Sequence, residues 1–128
     1  MRLLLDTHLL IWAVSASERL SAKTRTLVSD EANQLFFSAA SLWEIAIKAS
    51  YKRNNFVVNV PELHSELLLN GYHELAVHAR HTFAVVHLPH LHKDPFDRLL
   101  LAQAMREDLT LVTADALLAS YPGPILKV

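Results

Sequence analysis

Apolar residues along this chain fall alternately into short runs and helical stripes. Arg2 to Leu5 reads as a strand closed by Asp6-Thr7, and His8 to Val14 as a brief helix after it. Ser21 offers an N-cap for a helix running to about Glu31, and Leu35-Phe36-Phe37 gives a second strand that stops at Ser38. From Ser41 to Tyr51, Leu42, Ile45, Ala46 and Ala49 recur at helical spacing. This predicts a helix with one stripe toward a core and with Glu44, Lys48 and Lys52 on the opposite face.

Pro61 suits the first turn of a helix through about Asn70, with Leu63, Leu67 and Leu68 buried and Gly71 as its stop. Glu74 to Val77 reads as a third strand, His78 to Val85 as a helix, and His87 to Lys93 as a loop broken by Pro89. Asp94-Pro95 then opens a helix to about Glu107, since Asp is a favoured N-cap and Pro a favoured first residue. Leu109 to Val112 is the next strand. A short helix through Ala119 and a last strand near Ile125 to Lys127 complete the pattern. Short apolar strands separated by helices predict an α/β fold, a parallel sheet with helices on both faces. Ligands in such sheets bind beyond the carboxyl ends of the strands.

At 128 residues the chain is expected to be one domain spanning residues 1–128, and its 52% hydrophobic content supplies a real core. No apolar run approaches the roughly 18 residues that a membrane span needs. The opening Met1 to Asp6 is too short an apolar stretch for a signal peptide, so a soluble, cytoplasmic protein is expected. Without cysteine there is no disulfide framework, no thiolate nucleophile and no zinc finger. A formal charge of −1 means that contact with nucleic acid has to be local, and two glycines are too few for a dinucleotide or phosphate-binding loop.

Four acids stand where such a sheet places ligands. Asp6 directly follows the first strand, Glu44 lies one turn into the helix after the second, Asp97 is in the first turn of a later helix, and Asp115 follows a later strand. Taken singly, each has an ordinary explanation. Asp6 suits a turn, Ser41 with Glu44 matches an S-x-x-E capping box, Asp94 and Asp97 suit a helix start, and Asp115 can cap the next helix. Taken together, four carboxylates at one edge repel one another unless a cation joins them. A hard divalent ion such as Mg2+ accepts oxygen donors, and such a site suits phosphodiester hydrolysis by activating water and neutralising charge.

Thr7 and Thr113 can orient waters there or simply cap helices. Lys48, Lys52, Arg53, Lys93 and Arg98 lie near these acids in sequence and can either grip phosphates or form a solvated face. The run His87-Leu88-Pro89-His90-Leu91-His92 superficially suggests a zinc or copper site, but it reads better as a polar loop. No G-x-S-x-G elbow accompanies Ser38 or Ser41.

Four segments in order, Leu3-Leu4-Leu5-Asp6-Thr7-His8, Ser41-Leu42-Trp43-Glu44-Ile45, His92 to Leu100 with Asp94-Pro95-Phe96-Asp97 at its centre, and Leu111-Val112-Thr113-Ala114-Asp115, resemble the PIN domain, specifically VapC-type toxins. The resemblance covers almost the whole chain. It implies a three-layer α/β/α fold and an Mg2+- or Mn2+-dependent endoribonuclease acting as the toxin of a toxin–antitoxin system. Asp6, Glu44, Asp97 and Asp115 would take the four acidic positions as metal and catalytic residues, with Asp6 and Asp97 the direct metal ligands. Thr113 matches a polar residue near the fourth acid, and Asp94, three residues before Asp97, becomes the N-cap. The implied partners are an RNA substrate, a cognate protein antitoxin whose tail covers the site, and a second copy in a homodimer. Two other readings are carried alongside. One is a phospho-accepting receiver-like signalling domain, against which stand the absence of adjacent acids after the first strand and the terminal position of Lys127. The other is a catalytically inactive PIN-type binding module.

Overall fold

The computed structural model describes residues 1–51 and 58–128. Its elements in chain order are β1 Arg2–Leu5, α1 Thr7–Val14, α2 Ala22–Ser29, β2 Gln34–Ser38, α3 Ala39–Ser50, α4 Val60–Leu69, β3 His73–Leu75, α5 Ala79–Val85, α6 Pro95–Arg106, β4 Thr110–Thr113, α7 Ala116–Ala119 and β5 Ile125–Lys127. The five strands form one parallel sheet in the order β3-β2-β1-β4-β5.

Alternation along the strands divides the core in two. Leu3 and Leu5 of β1, Leu35 and Phe37 of β2 and Val112 of β4 point to one face, where Leu9 and Leu10 of α1, Ile45 of α3 and Leu63 and Leu67 of α4 cover them. Leu4, Phe36 and Leu111 point to the other, beneath Leu100, Leu101 and Ala104 of α6 and Leu118 of α7. The central strands are therefore apolar on both faces, as a buried parallel sheet requires, and the architecture is the expected three-layer α/β/α.

Several boundaries differ from the sequence pattern for identifiable reasons. β3 lies at His73–Leu75 rather than 74–77, because parallel pairing with β2 matches Phe36 with His73 and Ser38 with Leu75. α3 starts two residues before the expected Ser41, with Ser38 as N-cap. Leu68 is 48% exposed, since the buried stripe of α4 is the narrower Leu63 and Leu67 row. A polar chain also runs through the core. The Ser38 hydroxyl donates to Gln103 Oε1 at 2.6 Å, and Gln103 Nε2 reaches buried His81 Nδ1. That nitrogen also accepts from the His78 N–H, so His81 Nε2 carries the proton and donates to Glu107 at 2.9 Å. Among the described residues, no helix is long and apolar enough to cross a membrane.

Candidate active site

β1 occupies the middle of the sheet, and the chain builds outward from it on both sides, through β2 and β3 one way and β4 and β5 the other. The connection leaving β1 runs toward β2 and the one leaving β4 runs toward β5, so a crevice opens between the carboxyl ends of these two neighbouring strands. Asp6 is the first residue beyond β1 and is buried. Its Oδ1 accepts the Leu9 N–H at 2.9 Å, capping α1, and its Oδ2 accepts the Thr113 hydroxyl. The same hydroxyl accepts the Asp115 N–H at 3.0 Å, so one threonine ties the end of β1 to the end of β4. Asp115 caps α7 by accepting the Leu117 and Leu118 N–H groups on Oδ1, while its Oδ2 lies 3.7 Å from His92 Nε2.

Asp94 is the N-cap of α6 and accepts the Phe96 and Asp97 N–H groups on Oδ1. Asp97, one turn on, shares a hydrogen bond of 3.0 Å between its Oδ2 and His92 Nε2. Glu44 departs from the sequence expectation in two ways. The Ser41-x-x-Glu44 capping box does not form, because Ser38 takes the cap by accepting the Ala40 N–H at 3.0 Å. The Ser41 hydroxyl instead accepts from Thr7 Oγ1 at 2.9 Å, joining α1 to α3. Nor does Glu44 lie on a solvent face. It is 5% exposed, with Oε2 paired to Lys48 Nζ at 2.9 Å and Oε1 buried without a hydrogen-bond partner among the described residues.

The carboxylates act on one another. Burial is the main force that pushes the Asp97 carboxyl up to about 7, and the charges of Asp94, Asp6 and Glu44 push the same way, while the His92 hydrogen bond opposes them. Burial also holds Asp6 above the usual carboxylate range with help from Asp115, against the Thr113 and Leu9 hydrogen bonds and the His8 charge. The fold thus brings Asp6, Glu44, Asp97 and Asp115 into one electrostatic cluster. Its donors are all oxygens, two of its acids are held back from ionising, and one buried oxygen is unpaired. That combination fits a hard divalent cation, which would supply the missing charge and the missing partner.

The histidine run divides. His87 and His90 are exposed, whereas His92 turns toward the acids, and donor atoms of His92, Asp94 and Asp97 lie within 4.8 Å of one another. The sequence pattern offered the histidine run as a zinc or copper site but favoured a polar loop, because a loop pattern carries no orientation; the position of His92 two residues before the Asp94-Pro95 helix start was the signal that singles it out. Tyr121 and Arg98 fix the loop that carries it. The Tyr121 hydroxyl accepts the His92 N–H at 2.9 Å, and Arg98 donates to the Tyr121 hydroxyl and to the Pro89 carbonyl, both at 2.8 Å. Arg98 is therefore a loop anchor rather than a free phosphate contact, and Lys48 is paired with Glu44. Lys93 is exposed, while Lys52 and Arg53 lie outside the described residues.

The profile of the PIN domain matches residues 3–124, nearly the entire chain. The chain belongs to the PIN domain family. No curated protein matches the sequence. Among solved structures, this PIN domain is similar to a chain in VapBC2 from Rickettsia felis bound to a DNA fragment from their promoter, with a TM-score of 0.70, 20% identity and coverage of 99% of this chain and 98% of that one. It is also similar to a chain of a toxin–antitoxin complex from Klebsiella pneumoniae, with a TM-score of 0.65, 20% identity and coverage of 97% and 95%. A third match, to DNA-bound VapBC from Salmonella typhimurium, has a TM-score of 0.65, 15% identity and coverage of 99% and 98%. At these identities the likeness is one of PIN fold, extending over the full length of each partner.

Proposed function

We propose that this PIN domain is a divalent-metal-dependent endoribonuclease, the toxin of a VapBC-like toxin–antitoxin pair, acting in the cytoplasm as a single unit over residues 1–128. The observation that carries the reading is the buried acidic crevice with its unpaired Glu44 Oε1. Asp6 and Asp97 would hold Mg2+ or Mn2+ directly, with Glu44 and Asp115 completing the acidic set. Bound there, the ion supplies water activation at neutral pH and neutralises charge developing on the scissile phosphate.

The remaining work belongs to the chain's own groups. Thr113 fixes the Asp6 carboxylate in one orientation and sets Asp115 beside it through the Asp115 N–H. The Thr7 to Ser41 hydrogen bond holds α3, and so Glu44, against the start of α1. Asp94 caps α6 through Oδ1 and delivers Asp97 from the first turn. The similarity to chains from toxin–antitoxin structures supports a cognate antitoxin as partner, and the exposed Trp43, Leu69, Phe83 and Val86 provide apolar surface for it and for a second copy in a homodimer.

The decisive experiment incubates antitoxin-free protein with a bacterial RNA pool in Mg2+, Mn2+ or EDTA, alongside Asp6→Asn. Discrete cuts that require metal and vanish in the variant are expected. Cleavage by Asp6→Asn at the wild-type rate would sink the mechanism, and a folded wild type that never cuts would favour the non-catalytic binding module.

A further inference from the structure

The acids account for oxygen donors only, yet a nitrogen faces them. His92 Nε2 sits 3.0 Å from Asp97 Oδ2 and 3.7 Å from Asp115 Oδ2, between two acids that come from different helix starts. The side chain is largely buried, and it is held there from behind. The Tyr121 hydroxyl takes the His92 backbone N–H, and Arg98 laces the same loop through the Pro89, Val85 and Leu88 carbonyls as well as the Tyr121 hydroxyl. A hydrogen-bonded guanidinium and a phenol spent on one loop fix the imidazole against the crevice. A second feature of the same acidic cluster also calls for a ligand. Glu44 Oε1 is buried without a hydrogen-bond partner among the described residues, and the Glu44 charge is felt at Asp97.

The spacing suits coordination. Two donors that are neighbours on an octahedral ion, with bonds of about 2.1 Å, lie about 3.0 Å apart. That is the separation of His92 Nε2 and Asp97 Oδ2. Resting on the metal-dependent reading above, we infer that His92 Nε2 is a nitrogen ligand of the ion that Asp97 binds, and that it biases the site toward first-row transition ions over Mg2+. Coordination would use the Nε2 lone pair of the neutral tautomer that carries its hydrogen on Nδ1. Mg2+ gains little from such a donor, because it favours oxygen and keeps its waters, whereas transition ions accept imidazole.

The test reads the ion directly. Mn2+-loaded full-length protein is examined by pulsed electron paramagnetic resonance, with natural-abundance and 15N-histidine-labelled chains, and Mn2+ and Mg2+ affinities are measured by competition. A coordinated-nitrogen coupling that changes with the 15N label and disappears in both His92→Asn and His92→Gln is expected. The same variants should lose about tenfold or more in Mn2+ affinity and far less in Mg2+ affinity. Mn2+ bound with no histidine nitrogen coupling, or a Mn2+ to Mg2+ preference unchanged in folded variants, would overturn the inference while leaving the nuclease reading intact. Failure to bind Mn2+ at all would overturn it too. Nitrogen coupling in a protein that never cuts RNA would instead sustain the ligand and remove the nuclease.

Discussion

Asp97 shows what the crevice demands of a single residue. Its carboxyl is pushed from the ordinary aspartate value of 3.8 up to about 7 by burial and by Asp94, Asp6 and Glu44. Between those values the folded protein keeps a proton that the unfolded chain has released, so this group makes metal-free stability fall as pH rises from about 4 to about 7, levelling off above. Urea unfolding in EDTA across this range should show that decline. Asp97→Asn should flatten it, and added Mg2+ should restore stability to the wild type most strongly above about pH 7. At this scale the sequence was legible where chemistry is local. Asp94 as cap and Asp97 one turn on follow from Asp-Pro at a helix start. Glu44 was not legible, because its environment depends on where α3 begins. Ser38 and Ser41 are both acceptable caps, and the choice between them follows from the partner that each finds, Gln103 for one and Thr7 for the other.

Elements in this chain are held at their ends as much as along their faces. Ser38 closes β2, caps α3 and donates to Gln103 within one buried side chain. Ser38→Ala should therefore cost about 1–3 kcal/mol in chemical denaturation, since it removes a cap and orphans a buried amide oxygen. Helices and strands with strong periodicity were readable, as α3, α6 and β1 show. β3 was displaced because register with β2, rather than its own pattern, decides which three residues pair. The polar chain from Ser38 through Gln103 to His81 had no local signature at all, since its members stand 65 and 22 residues apart.

The whole molecule depends on a central strand whose residues serve two cores. Leu4 faces the α6 side while Leu3 and Leu5 face the α1 side, and all three are fully buried. Leu4→Ala should lower unfolding free energy by about 2–5 kcal/mol, a loss read from denaturant midpoints. With the proposed pairing, light scattering on the eluted protein should report twice the 14.4 kDa chain mass. The α/β architecture and the four acids were legible because strand ends announce themselves, whereas the tertiary turn of His92 was not. Asp6, Asp94 and Asp115 each begin a helix by accepting main-chain N–H groups. Asparagine starts helices about as well as aspartate. On the proposed nuclease reading, a one-nucleotide transition in the Asp6 or Asp115 codon is therefore expected to keep the helix start and the surface while silencing the chemistry. Inactive alleles arising by such quiet substitutions are then expected to encode products that remain folded.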